Sequence, residues 1–324
     1  MKERKVRAVI LFFVLLALIS GAFYWGASLF RDNLSGFDGY QDIAYLFNID
    51  AWDSLFIGCS ISLLIVLLVY GVFKPLIVLF VYLSVQILCS IPLTVIYKLI
   101  GDGMEYESLS FTLLVSSVVT VAVLYFAHYA KVGKREFGAM RDKYVWICIL
   151  ALLFGMFASD LITECLYLEN NLQQEFLDMS GTVVGALTIG VVGPIAEEFI
   201  FRSAILGSML RRGMTPWIAI VVSAMIFGLV HGNPQQIPFA FFVGLLFAFV
   251  YYRTGSVVPC MICHIINNST AVILMNTGSV DDNDAWHTLL GGNTGFNLSL
   301  ICSLIVCICL LWVAHKRLKD VRWN

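Results

Sequence analysis

Apolar residues fall in ten runs separated by short polar stretches: 8–30, 54–73, 76–97, 109–130, 144–163, 181–202, 216–231, 238–252, 257–276 and 297–315. A helix rises about 1.5 Å per residue and a bilayer core is about 30 Å thick, so about 20 apolar residues make one crossing. The pattern predicts an all-α, polytopic transmembrane helical bundle of about ten spans. The seventh and eighth runs are short by this measure. The stretch 31–53 is weakly amphipathic and acidic and predicts a helix on the outer surface. No internal repeat of the inverted-repeat transporter kind is visible.

Composition agrees. Apolar residues make up 60% of the chain, charged residues 13%, and the mean hydropathy is +0.87. Soluble domains average about 45–50% and about 25% for the first two. No long linker or second soluble domain stands out. No basic stripe lies outside short loops, so a nucleic-acid partner is not expected; membrane lipid is.

Charge sets the orientation. With the N-terminus in the cytoplasm, the inner segments collect Lys2, Arg4, Lys5, Arg7, Lys74, Lys131, Lys134, Arg135, Arg141, Lys143, Arg211, Arg212, Arg253, Lys316, Arg317, Lys319 and Arg322. Of the 20 basic residues only Arg31, Lys98 and Arg202 are left over. The outer loops receive acidic residues such as Asp102, Glu105, Glu107 and Asp281. A wrong span count would scramble this alternation, so both termini are expected on the cytoplasmic side. The basic start followed by the apolar residues 9–19 resembles a signal peptide, but no small-residue cleavage site stands out and the apolar run continues to Phe30; the segment reads as a retained first helix.

The polar groups inside the runs are few and concentrated. Glu197, Glu198 and Arg202 lie in Gly193-Pro194-Ile195-Ala196-Glu197-Glu198-Phe199-Ile200-Phe201-Arg202; Phe227 precedes His231 by four residues, and His264 precedes Asn268 by four. Each charge at a bilayer centre costs about 3 kcal/mol to insert, so three together require a reason. Counted from the cytoplasmic turn at 212–215, Glu197 and His231 lie at similar height, roughly 22–24 Å along their helices. His264 and Asn268 lie roughly 14 and 20 Å from the turn at 253–255. The spacing pairs Glu198 with Arg202 and leaves Glu197 pointing about 100° away. Pro194 removes a helical donor beside Gly193, so the backbone before Glu197 is expected to kink and open.

A carboxylate in a low-dielectric cavity is suited to take a proton from water, and histidine and asparagine N–H groups to receive a developing oxyanion. Glu197, His231 and His264 also match a zinc ligand set with water as fourth ligand. Both arrangements lead to hydrolysis, and the residues alone leave the choice open.

The order PxxEExxxR, FxxxH and HxxxN, with the turn Arg253-Thr254-Gly255-Ser256 ahead of Pro259 and His264, resembles the CPBP (Abi) family of intramembrane proteases, which includes the type II CAAX prenyl endopeptidases. The resemblance covers roughly residues 180–276 and implies an intramembrane endopeptidase acting on a membrane-associated peptide or protein. It implies that Glu197 with His231 activates water, that His264 and Asn268 stabilise the oxyanion, and that Glu198, Arg202 and Phe227 support them. The family is described both as metal-dependent and as glutamate-dependent. Residues 1–165 fall outside the resemblance and read as a five-helix scaffold or a partner- or substrate-binding surface; 297–324 reads as a last helix with a basic cytoplasmic tail. The expected setting is a bacterial cell membrane.

Blander readings compete. Glu197, Glu198 and Arg202 form a buried ion-pair cluster in one, but with a carboxylate in excess. Either histidine alone reads as a packing or helix-end residue. Cys260-Met261-Ile262-Cys263-His264 matches the haem string C-x-x-C-H, yet lies in a membrane helix. Eight of the nine cysteines, all but Cys165, fall in apolar runs and imply no disulfide framework. A non-enzymatic bacteriocin-immunity or signalling member of the same family and a proton-coupled transporter are the alternatives. Intact Glu197, His231, His264 and Asn268 favour the enzyme.

Overall fold

The computed structural model describes residues 2–34, 51–69, 72–100, 105–130, 133–277 and 285–323. Most of the expected outer helix at 31–53 lies outside them. Thirteen helices form from the described residues, and none of these is a strand. They are α1 (Lys2–Leu34), α2 (Ala51–Val69), α3 (Phe73–Ile100), α4 (Glu105–Phe126), α5 (Lys134–Ala139), α6 (Lys143–Glu164) and α7 (Gln173–Ser180). There follow α8 (Val183–Arg211), α9 (Pro216–Leu229), α10 (Gln236–Thr254), α11 (Val258–Asn276), α12 (Ala285–Leu289) and α13 (Asn293–Arg317).

Eight of these are long and apolar enough to cross a bilayer; Asp53–Val69 and Pro216–Leu229 are shorter apolar helices and complete the ten runs. The protein is an all-α, multi-pass membrane bundle. Three boundaries differ from expectation. The sixth span runs nine residues past 202, to Arg211. The eighth has 19 residues, so the second run joins the seventh as the short ones. The seventh ends at Leu229, so His231 sits in the turn beyond it rather than in the span.

The chain packs as two units, Met1–Leu76 and Ile77–Asn324. In the first, α1 lies along α2, where Gly58 admits Ser20 because it carries no side chain. In the second, α6 packs against α13, α10 and α11. It starts at Asp142, whose carboxylate accepts the Tyr144 N–H at 2.9 Å, the usual way to satisfy a donor in a helix's first turn. The antiparallel pair α9–α10 approaches most closely at Gly228 and Gly244. A Cβ on the first would lie 2.9 Å from the Ile237 carbonyl oxygen, and on the second 3.1 Å from the Ala224 Cα. Small residues permit this approach where lipid offers no hydrophobic drive for helix association.

The Arg253-Thr254-Gly255-Ser256 turn acquires a physical meaning here. Gly255 ends α10 at φ 65, a left-handed conformation that favours glycine. Arg253 donates to Asp320 at 2.6 Å and to the His315 and Leu318 carbonyls at 2.9 and 3.0 Å, closing the C-terminal end of α13. Ser256 donates to the Glu136 carbonyl of α5 at 2.7 Å and accepts from Val258 N–H at 3.2 Å, so it joins α5 to the start of α11.

Candidate active site

Glu197 and Glu198 lie in a helix whose hydrogen-bonding changes on both sides of them. Within α8, Thr188–Val192 and Phe199–Leu206 are π-helical, flanking the α-helical turn Gly193–Glu198. Pro194 contributes at the first: lacking an N–H, it leaves one carbonyl a turn earlier without its helical donor. Two side chains of α11 donate to carbonyls of this turn. Asn268 Nδ2 donates to the Ile189 carbonyl at 3.2 Å, and Ser269 Oγ to the Gly190 carbonyl at 3.1 Å. The expected opening at Pro194 is therefore a π-segment sealed from a neighbouring helix. These bonds fix α11 against α8, and so set which α8 side chains face His264. In the second π-segment the Phe201 carbonyl receives the Ser223 hydroxyl of α9 at 3.1 Å.

Glu198 is fully buried, with Oε2 3.1 Å from Arg202 Nε and Oε1 2.9 Å from His264 Nδ1. The expected i,i+4 pairing with Arg202 is present. The contact with His264 was not expected. The Arg202–Glu198 contact has ion-pair distance without hydrogen-bond alignment, and the guanidinium carbon is also 4.3 Å from the Phe227 centroid and 5.3 Å from that of Phe247. A desolvated cation–π contact is worth about 2 kcal/mol, so the two rings and the carboxylate together offset part of the cost of burying this charge.

Glu197 is partly exposed, and its Oε2 lies 3.6 Å from His264 Nε2. His264 thus stands between two adjacent carboxylates, hydrogen-bonded to one and close to the other. Ionised carboxylates only accept, so Nδ1 carries the proton given to Glu198. Nε2 then presents a lone pair when the ring is neutral and an N–H when it is imidazolium.

His231 Nδ1 lies 2.8 Å from the Phe227 carbonyl, which can only accept. That fixes the proton on Nδ1 and leaves the Nε2 lone pair available as a base. The turn that carries it is tethered at Asn233, nearly fully buried, whose amide donates to Asn170 Oδ1 at 2.7 Å. Phe227 joins the parts: its ring centroid is 5.0 Å from those of Phe201 and His231 and 6.0 Å from that of His264.

The structure thus groups Glu197, Glu198, Arg202, His264 and Phe227 directly, brings His231 onto the same ring, and uses Asn268 to hold the backbone before Glu197. Among the described residues, no three His, Cys, Asp or Glu side chains converge as metal ligands, so the conditional zinc set of Glu197, His231 and His264 is not assembled. The Nδ1 bond of His264 to Glu198 leaves Nε2 open, as in many metal-ligating histidines, so the misfit lies in the lack of a converging third ligand and not in His264. Cys260 and Cys263 are buried, their thiols donating to the Phe247 and Ile149 carbonyls at 3.4 and 3.6 Å, a packing role.

Phe247, Asn233, Asn170 and Ser269 escaped the sequence reading. Asn233, two residues after His231, and Ser269, next to Asn268, were legible only as neighbours of the motifs. Phe247 sits in an apolar run rich in phenylalanine and carries no signal of its own.

Comparison with known proteins places the segment that carries these residues. Residues 179–270 match the model of the type II CAAX prenyl endopeptidase Rce1-like family. YdiL of Bacillus subtilis (strain 168), whose name assigns it provisionally to the membrane peptidases, is 32% identical over 107 residues, 33% of this chain and 43% of YdiL. The membrane-embedded CAAX protease MroQ of Staphylococcus aureus (strain USA300) is 32% identical over 90 residues, 26% of this chain and 36% of MroQ. The similarity therefore spans less than half of either relative. No solved structure matches. Glu197, Glu198, Arg202, His231, His264 and Asn268 all lie inside the matched segment, which is similar to the type II CAAX prenyl endopeptidase Rce1-like family.

Proposed function

We propose that the protein is an intramembrane endopeptidase that hydrolyses a peptide bond in a membrane-associated peptide or protein, using water activated by Glu197 and His231. The observation that carries this reading is the placement of His264 between the Glu197 and Glu198 carboxylates, inside a membrane bundle, with only Glu198 neutralised by Arg202. Glu197 is the carboxylate in excess of the buried pair, and it is partly exposed, as a group that meets water must be. His231 offers the Nε2 lone pair, so Glu197 and His231 share the water and one of them takes the single proton it loses on attacking the carbonyl carbon.

The tetrahedral oxyanion then needs donors. With Nδ1–H given to Glu198, His264 donates from Nε2 only as imidazolium, whose charge Glu198 balances. Asn268 has a second amide hydrogen beyond the one given to Ile189. Collapse of the intermediate breaks the C–N bond, and the proton taken from water passes to the leaving amine. No step is routed through a metal.

The membrane-embedded CAAX protease named among the relatives supports a peptide or protein substrate. A bacterial cell membrane with both termini cytoplasmic is the setting this reading assumes, and residues 1–165 serve as scaffold or substrate-binding surface. The test is turnover by purified protein in lipid nanodiscs on a library of membrane-anchored peptides, prenylated and unprenylated, read by mass spectrometry. Cleavage by wild type that is lost in Glu197→Gln supports the reading. Equal cleavage by both, or by neither, refutes it.

A further inference from the structure

His231 is the one proposed catalytic group that no helix carries: α9 ends before it, at Leu229, and α10 begins after it, at Gln236. Its ring keeps its place only as well as the link 230–235 does. The backbone turns there through Gly232, at φ 64. The Asn233 carbonyl then receives the Gln236 and Ile237 N–H groups at 3.0 Å, opening the first turn of α10.

The side chain of Asn233 does something that its own turn does not require. A turn asparagine ordinarily bonds the backbone two residues on. Both polar atoms of Asn233 instead reach 63 and 62 residues back, to the link between α6 and α7. Nδ2 donates to Asn170 Oδ1 at 2.7 Å, and Oδ1 accepts the Asn171 N–H at 3.4 Å. Asn170 Oδ1 also accepts the Leu172 N–H at 3.3 Å. Turning either amide over would set donor against donor, so the three bonds fix both orientations. Asn233 is nearly fully buried, which leaves water no way to replace its partners.

The link that receives these bonds is held in a costly shape. Tyr167 is exposed yet left-handed, at φ 49, and a bulky residue persists there only where its surroundings impose it. Leu168, the next residue, is buried, and Asn170 follows with its bond to Asn233. Asn170 lies outside the family segment, 179–270.

We propose that Asn233 and Asn170 are positioning residues for His231. Their bonds pin the turn beyond α9, so that the imidazole keeps its Nδ1–H on the Phe227 carbonyl, 2.8 Å away, and its Nε2 lone pair towards the attacking water. The Phe227 carbonyl does not suffice by itself, because it sits on the helix and His231 on the turn. A turn that swings takes the ring off that carbonyl. A link outside the family segment thereby sets the geometry of a base inside it. The inference rests on the reading of His231 as a group that shares the attacking water.

The test uses full-length protein in liposomes, with histidine labelled by a heavy nitrogen isotope and read by solid-state NMR at a pH where the rings are neutral. The His231 signals are those lost in His231→Gln. In wild type the protonated nitrogen is Nδ1, whereas a neutral imidazole free in water mostly carries its proton on Nε2. Asn233→Ala and Asn170→Ala move the His231 proton to Nε2. Asn170→Asp, which keeps both acceptances, leaves it on Nδ1. Asn276→Ala controls for general loosening: it removes amide bonds to the Ser180 and Val272 carbonyls at 3.0 and 2.9 Å and leaves the His231 tautomer in place. In turnover, Asn170→Ala lowers kcat about tenfold with KM unchanged, within the range of a small misplacement of a reacting group, and Asn170→Asp restores it. Should Asn233→Ala fail to fold, the half-buried Asn170 decides the matter. An Nδ1–H tautomer that survives the alanine variants overturns the inference, as does its loss in Asn276→Ala. A changed tautomer with unchanged kcat overturns the positioning role. Absence of turnover in wild type counts against the proposed function alone, because the tautomer still reports the tether.

Discussion

His264 and Glu198 are joined by a 2.9 Å hydrogen bond between two buried side chains on different helices, while Glu197, one residue away, stands 3.6 Å from the other nitrogen of the same ring. Adjacent carboxylates therefore have separate surroundings: one belongs to a buried electrostatic cluster, and the other is partly exposed.

That division predicts opposite profiles for two neighbouring substitutions. Glu197→Gln keeps the melting temperature and loses turnover by about 10²-fold or more. Glu198→Gln leaves Arg202 as an uncompensated buried charge and costs about 3–5 kcal/mol of stability as well as activity. Arg202→Ala strands Glu198 in the same way. Thermal unfolding in detergent beside a peptidase assay separates them; equal melting for Glu198→Gln and wild type contradicts the pairing.

The carbonyls that α11 satisfies beside Pro194 give a second prediction. Ser269→Ala removes the donor to Gly190 and costs about 1–3 kcal/mol, the penalty of an unsatisfied buried group. Asn268→Ala removes the donor to Ile189 at a similar cost, and lowers kcat further because an oxyanion donor goes with it. Matched stability losses with a larger kcat loss for Asn268→Ala are the expected result. Equal kcat losses would confine Asn268 to the backbone role.

Among the described residues no three His, Cys, Asp or Glu side chains converge as ligands, and this bears on metal dependence. Activity is expected to persist in protein washed with a strong chelator, and elemental analysis to find no stoichiometric zinc that tracks it. Loss on chelation with recovery on added zinc would show that the side chains rearrange around a metal.

The orientation is tested by cysteine labelling on a cysteine-free background. Glu169→Cys, in the link between α6 and α7, labels from outside intact cells; Arg141→Cys and Lys319→Cys label only after permeabilisation. The reverse at any of the three refutes the map.

The division between what was legible and what was not follows the range of the forces. Ten apolar runs, the clustering of basic residues in alternate segments, and the i,i+4 relation of Glu198 to Arg202 are local properties, because lipid requires each crossing to satisfy its own backbone and helical spacing brings such pairs together. The grouping of Glu197, Glu198, His231, His264 and Asn268 was readable for a related reason: polar groups are costly in lipid and stand out from it. Sequence alone also registered that Pro194 disturbs its helix, since the missing donor is covalent. It did not disclose that Glu198 rather than Glu197 hydrogen-bonds His264, that His231 lies beyond the end of α9, or that Phe247 covers Arg202. Nor did it show that Asn268 and Ser269 satisfy the Ile189 and Gly190 carbonyls. Each depends on the rotation of one helix against another. A π-segment changes that rotation by shifting the phase of every side chain after it, and the shift is held by contacts from other helices, among them α11, α9 and α4. The residue types that the proposed chemistry requires are written in the chain, whereas which carboxylate faces which nitrogen is decided by how the helices pack.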